Sequence, residues 1–429
     1  MRDIVLFGVF FGILPFIFKR PAIGVLAFTW ISLMNPHRLT YGAAFEFPFA
    51  AIATGATCIG LLMSKDEKRF PITPVTVTLL LMMLWMTMTT FPALEQDLAW
   101  KEWGRVSKTM FMVLLAMTAI RTEKDIKLFA WVVGLSLAFY GVKGGLFTIK
   151  SGGSNHVFGP EGSYIEDNNA LALALLTAAP IVWYLRMHAD NKWIRRGLTS
   201  VAALMVISVV GSYSRGALLG GATILLFLWI KSEHKAGTAF AVIIAIAIVP
   251  LIMPEQWFDR MSTINKYQAD ASALGRLNAW QFAVNVAESN FMGGGFVVFT
   301  PRMFMVYAPE PLNHHAAHSI YFQVLGEHGF IGIALFLLLM FTSWRTGSRI
   351  IKRCKNQAEL KWAHDLASMC QVCIIGFAVG GAFLTLAYYD LYYDIITILV
   401  VLEKYLLLSP SSRLVKKPSS TEAYPQAGN

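Results

Sequence analysis

Long apolar runs recur along almost the whole of this 429-residue chain. Many of these runs are about 18 residues or longer, which is enough for one helix to cross the roughly 30 Å hydrocarbon core of a bilayer. A helix satisfies its own backbone hydrogen bonds in lipid, so the pattern favours helices as the spanning elements. Charged residues make up only 14% of the chain, against about 25% in a soluble domain. The sequence therefore predicts an all-α polytopic membrane protein.

The first apolar segment is the ambiguous part of the topology. Lys19-Arg20-Pro21 interrupts the stretch from Ile4 to Met34, which could cross the bilayer once or twice. One broken crossing is favoured, which gives about twelve transmembrane helices and places both termini in the cytoplasm. The later spans are expected at 44–63, 72–90, 104–120, 126–148, 168–185, 197–211, 216–230, 238–253, 319–344, 366–388 and 391–408.

These spans are expected to form one transmembrane domain over residues 1–410. The remaining tail, residues 411–429, contains several Ser, Pro and Ala residues, and we expect it to be a disordered cytoplasmic tail. Cysteine usage indicates no disulfide framework. Cys370 and Cys373 lie inside an apolar run, so we interpret them as helix-packing residues.

The net charge of +10 comes from Lys and Arg residues that cluster in short loops between the apolar runs. The positive-inside rule places these clusters in the cytoplasm, so no nucleic-acid partner is needed to explain them. Four segments then lie on the outer face: 35–43, 91–103, 150–167 and 254–317. Connections longer than about 15 residues are usually functional. We therefore expect a long periplasmic helical loop at 254–317 to carry part of the site.

Two arginines are candidate anion ligands at this outer face. Arg215 follows Tyr213 and Ser214 in a tight turn between two apolar stretches, and its guanidinium suits a phosphate or diphosphate. The alternative is an arginine that reaches lipid headgroups or pairs with a structural carboxylate. Arg276 lies near the start of an expected helix, whose free N–H groups also favour phosphate. An arginine on a solvated helix face is the alternative there.

Histidines concentrate where the long loop re-enters the membrane: His314, His315 and His318, with His328 further on. Histidine titrates near neutral pH and can accept a proton from a sugar hydroxyl. A zinc site is a competing interpretation because His314 and His318 are four residues apart, although no third ligand is evident. A purely structural role also stays open.

Two further outer segments carry polar or aromatic residues. Glu166 and Asp167 end the 150–167 loop and could bind sugar hydroxyls or help to position Arg215, or Asp167 could cap the next helix. Tyr388 to Asp394 has the composition of an interfacial aromatic belt at a tight outer turn.

From about residue 150 to 341, the chain resembles the bacterial O-antigen ligases and their polymerase and protein-glycosylating relatives. The matching elements, in order, are Tyr-Ser-Arg at 213–215, Gly-Arg-Leu-x-x-Trp at 275–280, His-Ser at 318–319 and Gly-Glu-His-Gly at 326–329. The opening through residues 32–39 resembles the ligase-like branch found beside exosortase-type exopolysaccharide systems, which leaves the natural acceptor open.

The resemblance implies a metal-independent, GT-C-like glycosyltransferase that needs no cofactor. It would transfer a polysaccharide from undecaprenyl diphosphate to a lipid A-core acceptor, with inversion, at the periplasmic face of the bacterial inner membrane. His318 would be the catalytic base, and Arg215 and Arg276 would hold the diphosphate. The other expected substrate contacts are Tyr213, His314, His315, Glu166 and Asp167.

Three alternatives remain at this point. A polysaccharide polymerase or a protein O-oligosaccharyltransferase would use the same donor with a different acceptor. A secondary transporter belongs to another class and would predict internal repeats with ionisable residues at the bilayer midplane. No repeat is apparent, and the candidate polar residues gather near the outer face.

Overall fold

The computed structural model describes residues 1–65, 68–232, 234–262 and 271–408. Within these ranges the regular structure is helical, which confirms the predicted fold class in its general form. The expected disordered tail at 411–429 lies outside the described residues. The α-helices are α1 (Arg2–Lys19), α2 (Pro21–Met34), α3 (Phe49–Met63), α4 (Pro74–Thr90), α5 (Gln96–Ala119), α6 (Glu123–Lys150), α7 (Asn168–Met187), α8 (Lys192–Val210), α9 (Arg215–Lys231), α10 (Lys235–Ile252), α11 (Glu255–Ser262), α12 (Ala271–Ser289), α13 (Pro301–Tyr307), α14 (Ile320–Cys354), α15 (Lys361–Gly380) and α16 (Asp390–Leu408).

Side-chain caps fix where several of these helices begin. Thr122 and Asp125 form a reciprocal capping box at the start of α6. Asp167 caps α7 and Ser214 caps α9, in each case by accepting backbone N–H groups of the first turn. The local sequence therefore determines helix starts at positions that matter for the polar loops.

Five helical segments within the described ranges are long and apolar enough to cross a membrane: 123–150, 168–187, 192–210, 320–354 and 358–383. Shorter apolar helices occupy 21–34, 49–63 and 74–90. These features support a helical membrane protein. By length and composition alone they do not reproduce the expected count of about twelve spans.

The bundle has two chemically different ends. At one end, His188 at the end of α7 lies 3.1 Å from Asp365 near the start of α15. Tyr405 near the end of α16 donates to Glu123 at the start of α6. We call this the basic end, because basic residues of several loops and helix termini gather there, among them Lys124, Lys127, Arg186, Lys192, Arg353 and Lys361. The opposite end carries residues 254–319, and we call it the loop end.

The first two helices fold back on each other, so the favoured single broken crossing is wrong. Asp3 at the start of α1 accepts the Ala44 N–H, shortly after the end of α2. Arg20, between the helices, forms a 2.6 Å salt bridge with Asp125 at the basic end. The start of α1 therefore lies at the loop end. The two termini of the helical bundle lie at opposite ends, rather than on one side as expected.

The stretch from Tyr388 to Asp394 is buried, so the expected interfacial aromatic belt is also wrong. All four of its tyrosines are almost completely buried. The reason is that α16 packs against α5, α6, α14 and α15. The Tyr392 ring, for example, stacks on Phe377 of α15 with ring centroids 4.5 Å apart. Cys370 and Cys373 are free and buried, as predicted for helix-packing residues.

Helix α14 is interrupted at Gly329, where the backbone leaves the helical region with φ of 65°. The Gly293-Gly294-Gly295 segment docks against this break. The Gly294 N–H donates to the carbonyl of Gly326, and a Cβ at position 293 would lie 2.5 Å from the Gly329 nitrogen. Only glycine permits this approach, which anchors the long loop to the bundle.

Candidate functional site

Arg215 is the first residue of α9, at the loop end. The turn from Gly211 to Ser214 precedes it, as predicted, and Ser214 caps the helix. The Asn168 side-chain amide donates to the Ser212 carbonyl oxygen at 2.6 Å, which ties the turn to the start of α7. Arg215 is half-buried. Its backbone is therefore held at a defined point of the loop end.

Tyr213 supports this turn from within. It adopts a left-handed backbone conformation with φ of 59°, and its side chain is buried. Its hydroxyl donates to the Gly153 carbonyl oxygen at 2.6 Å, and its ring lies 4.4 Å from that of His156. Tyr213, which was predicted to contact substrate, is thus bonded to the loop at 151–167 that joins α6 to α7.

Glu166 and Asp167 both keep exposed side chains, and each has a local partner. The Glu166 carboxylate accepts the Gly162 N–H at 2.8 Å, which braces its own loop. Asp167 accepts the N–H groups of Asn169 and Ala170 at 2.9 and 3.2 Å. The capping role considered for Asp167 is therefore confirmed, and its exposed carboxylate is close enough to act electrostatically on His318.

His318 lies at the centre of the candidate site. Its φ of 41° is unusual for a residue other than glycine, and its N–H donates to the Thr385 hydroxyl at 2.9 Å. Burial lowers the pKa of His318 below its ordinary value, and the Arg276 charge lowers it further, while Asp167 acts in the opposite direction. Residues far apart in sequence are therefore close enough to act electrostatically on one imidazole.

Arg276 reaches this position from α12. The helix begins at Ala271, so Arg276 lies beyond the first turn and away from the free N–H groups expected beside it. A Cβ at Gly275 would collide with the His315 ring, so the histidine packs on the helix backbone. The Trp280 indole N–H donates to the Ala317 carbonyl oxygen at 2.9 Å. Helix α12 is therefore joined closely to the histidine segment.

The three loop histidines are not equivalent. His315 lies against Gly275, next to Arg276, and its charge lowers the pKa of His318. His314 lies 3.0 Å from the Phe299 carbonyl oxygen and packs against the Phe304 ring, on the α13 side of the loop. The structure therefore brings His315 to His318 and directs His314 elsewhere. In the described ranges no three His, Cys, Asp or Glu side chains could together hold a metal ion.

The connection between α15 and α16 is a part of the site that the sequence analysis missed, because only its last two residues, Tyr388 and Tyr389, were given a role, in an aromatic belt. We call residues 381–389 the 381–389 segment. Its Thr385 hydroxyl accepts the His318 N–H, and its Phe383 lies so close to Gly216 that a Cβ there would be 3.0 Å away. The segment therefore contacts both the histidine loop and the first turn of α9, which carries Arg215.

A buried glutamate holds the 381–389 segment in place. Glu327 of α14 accepts the Tyr388 hydroxyl at 2.6 Å and the Val297 N–H at 3.1 Å. One turn earlier, the Gln323 side chain accepts the Ala387 N–H at 3.1 Å. The sequence presents Glu327 as part of the Gly-Glu-His-Gly element and as a carboxyl group inside an apolar run, and neither signal indicates its partners. We call these five residues the Glu327 network.

A bundle of apolar, membrane-length helices with a cluster of arginine and histidine at one end defines a polytopic membrane protein with a polar site. Residues 200–337 match the family model described as O-Antigen ligase, and residues 1–190 match a family of unknown function (DUF5935). No curated protein matches the chain. Arg215, Arg276 and His318 all lie within the match to the O-Antigen ligase model.

The predicted family is therefore confirmed over residues 200–337, which form a domain of the O-antigen ligase family. This family implies a membrane enzyme of the glycosyltransferase kind that acts on lipid-linked glycans, in the broad sense that includes ligases and polymerases.

Proposed function

We propose that this protein is a lipid-linked polysaccharide ligase. It transfers a glycan from undecaprenyl diphosphate to a lipid A-core acceptor at the periplasmic face of the bacterial inner membrane. The observation that carries the proposal is that Arg276, His315 and Asp167 are all close enough to act electrostatically on His318. Arg276, His315 and His318 lie within the match to the O-antigen ligase model. The reaction inverts the anomeric carbon and uses no metal ion.

His318 acts as the general base. Because burial and Arg276 lower its pKa, the imidazole is neutral at pH 7 and can accept a proton. The acceptor oxygen attacks the anomeric carbon while its proton passes to His318. The bond between that carbon and the diphosphate oxygen breaks, and undecaprenyl diphosphate leaves. His315 lowers the pKa of His318, whereas His314 contacts the Phe299 carbonyl oxygen on the α13 side of the loop.

Arg215 and Arg276 bind the diphosphate and stabilise the negative charge that develops on it. Arginine suits this task because its planar guanidinium pairs bidentately with phosphate oxygens. Fixed donors at the point where charge develops lower the barrier more than mobile ones do. The cap of α9 and the contact of Gly216 with Phe383 hold Arg215 in place. The hydrogen bond from Trp280 of α12 to the Ala317 carbonyl oxygen holds the helix that carries Arg276.

The proposed membrane setting follows from the two ends of the bundle. The basic end faces the cytoplasm, in agreement with the positive-inside rule. The loop end faces the periplasm, and α11, α12 and α13 belong to the expected periplasmic loop at 254–317. The GT-C-like domain then has about twelve or more crossings, with α1 and α2 crossing separately because they run antiparallel.

The test is transfer in vitro by the purified full-length protein, with an undecaprenyl-diphosphate glycan as donor and EDTA present. Rough lipopolysaccharide, a second lipid-linked repeat unit and an acceptor protein are offered separately. We expect a shift of the lipopolysaccharide band with wild type and His314→Ala, and none with folded His318→Ala or Arg215→Ala. A ladder on the lipid carrier would instead indicate a polymerase, and transfer to protein would indicate an oligosaccharyltransferase. Either result would contradict the proposed acceptor.

A further inference from the structure

Two carboxylates lie inside the bundle at the loop end, on one face of α16. Asp390 begins the helix and Asp394 lies one turn further on, so both side chains leave the same face. They are only 6% and 7% exposed. Helix α16 packs against α2, α5, α6, α14 and α15, so other helices enclose both carboxylates. We call Asp390 and Asp394 the α16 pair.

The first carboxylate of the α16 pair has neighbours that account for its charge. The Ser32 hydroxyl of α2 donates to Asp390, and Thr109 and Arg105 of α5 are close enough to act on it. Its position in the first turn of α16 also favours a negative charge, because the N-terminus of a helix carries a partial positive charge. Asp390 therefore needs no further neutralising group.

The second carboxylate has no such compensation. Within the described ranges, Asp394 forms no hydrogen bond or salt bridge, and Asp390 is the only charged residue close enough to act on it. The effect of the helix terminus fades within the first turn, which Asp394 lies beyond. A buried carboxylate without a partner is strongly destabilising. With Arg105 set against the α16 pair, one negative charge is left over.

Two oxygen atoms beside the α16 pair are also unsatisfied. Among the described residues, the Tyr389 hydroxyl and Oδ1 of Asp390 are buried without a hydrogen-bond partner, so they are not bonded to each other. Tyr389 is 3% exposed and close enough to act electrostatically on both Asp390 and Asp394. Buried polar atoms in proteins are rarely left in this state. Oxygen atoms without a protein partner therefore lie close to an uncompensated negative charge.

A monovalent cation would both neutralise Asp394 and coordinate the two unpartnered oxygens. A proton would neutralise one carboxylate, but a hydrogen bond joins only atoms that are already in close contact. A water molecule could bridge the oxygens, but it carries no charge. A metal ion joins oxygens that are too far apart to hydrogen-bond, each about 2.3–2.6 Å from the ion in the case of Ca²⁺. A divalent ion would exceed the single charge that is left over.

We propose that the α16 pair and the Tyr389 hydroxyl bind one Na⁺ ion. The ion coordinates the Asp394 carboxylate, Oδ1 of Asp390 and the phenolic oxygen. Because a hydroxyl is one of these ligands, the site differs from a cluster of three His, Cys, Asp or Glu side chains, of which the described ranges contain none. The ion joins the first turn of α16 to the last residue of the 381–389 segment.

The Na⁺ site is separate from the transfer chemistry. The 381–389 segment contacts His318 through Thr385, so the ion stabilises a part of the candidate site without touching a substrate. EDTA chelates divalent ions and would not remove Na⁺, so metal-independent transfer in EDTA is compatible with the site. The proposal does not rest on the proposed function.

The experiment measures equilibrium binding of radioactive Na⁺ to the full-length protein in nanodiscs, in choline buffer without other alkali ions. The variants are Asp394→Asn and Tyr389→Phe, which nearly keep the shape of each side chain. Their matched controls lie on the same helix. Glu403→Gln removes a carboxylate at the basic end, and Tyr392→Phe removes another buried hydroxyl that has no partner in the described part of the chain. Asp390→Asn is measured as well, in case Asp394→Asn fails to fold.

We expect wild type and both controls to bind one Na⁺ per chain. Asp394→Asn and Asp390→Asn should abolish saturable binding, because each removes a charged ligand. Tyr389→Phe should weaken binding about tenfold, as expected for the loss of one neutral oxygen ligand. A ligand stabilises the folded state that binds it, so NaCl should raise the unfolding temperature of wild type more than choline chloride does. Asp394→Asn should show no difference between the two salts.

Two results would overturn the proposal. One is the absence of saturable Na⁺ binding to wild type; a carboxylic acid band in the infrared spectrum that Asp394→Asn abolishes would then show that a proton neutralises Asp394. The other is Na⁺ binding that all three site variants leave unchanged, which would place the ion elsewhere. Neither measurement involves a glycan donor or acceptor, so a failure of the proposed function is a separate outcome.

Discussion

Replacement of Glu327 tests whether the Glu327 network positions His318. The residue is only 4% exposed, and it accepts the Tyr388 hydroxyl and the Val297 N–H. Glu327→Ala leaves both buried donors without an acceptor, at about 1–3 kcal/mol each, or about 2–6 kcal/mol in total. A cavity adds to this cost. We expect Glu327→Ala to fold poorly or not at all.

Glu327→Gln is the informative variant because it keeps the shape and one acceptor oxygen. Its amide NH2 group meets one of the two donors, so we expect a loss of about 1–3 kcal/mol and a folded protein. The 381–389 segment, which holds the His318 N–H through Thr385, should shift. A misplacement of about 1 Å can lower a rate about 100-fold, so kcat should fall by about that factor.

The assay combines thermal unfolding in detergent with kcat and donor KM in the transfer reaction. Glu403→Gln is the matched control, because Glu403 accepts Arg349 at the basic end, far from His318. It should change stability without changing kcat. If Glu327→Gln loses stability but turns over like wild type, the carboxyl group is merely structural and the positioning role is refuted.

Two further predictions concern charge around His318 and the anchoring of the long loop. The transfer rate should fall on the acidic side of its pH profile with a midpoint below 6.5, the ordinary pKa of histidine. His318 must be deprotonated to act as the base, and its pKa is lowered. Arg276→Gln removes a positive charge that lowers the pKa of His318, so it should move the acidic limb to higher pH. Asp167→Asn removes a negative charge that raises this pKa, so it should move the limb to lower pH. Shifts in the opposite directions, or no shifts, would contradict the proposed electrostatics. Gly293→Ala combines a φ of 74° with a Cβ 2.5 Å from the Gly329 nitrogen, so a loss of about 2–4 kcal/mol is expected in thermal or chemical unfolding. Wild-type stability in that variant would show that the loop does not depend on this contact.

Local sequence patterns predicted many individual helices well, because their causes are local. Helix α6 was expected at 126–148 and occupies Glu123–Lys150, where the Thr122 capping box begins it. The first hairpin was not predicted, because it depends on the contacts of Asp3 with Ala44 and of Arg20 with Asp125. The two residues of each pair are 41 and 105 positions apart in sequence, so no hydrophobic periodicity predicts their contact.

Sequence reasoning found the charged residues of the candidate site but not the parts that hold them. Arg276 and His318 were named from their chemistry and their resemblance to a family, and the structure places them together. Thr385 is uncharged and belongs to no recognised motif, so its contact with His318 could not be predicted from the sequence. His314 and His315 are neighbours with the same chemistry, and only their contacts in the structure distinguish them: His315 packs on Gly275, and His314 packs on Phe304.

The most direct test of the central claim is a single-turnover measurement of undecaprenyl diphosphate release, with excess full-length protein, a lipid-linked glycan, lipid A-core and EDTA. We predict release in step with acceptor glycosylation for wild type and His314→Ala, and neither event for folded His318→Ala. Undiminished release by His318→Ala, or no release by wild type, would contradict the assignment of His318 as the base of a metal-independent glycan transfer.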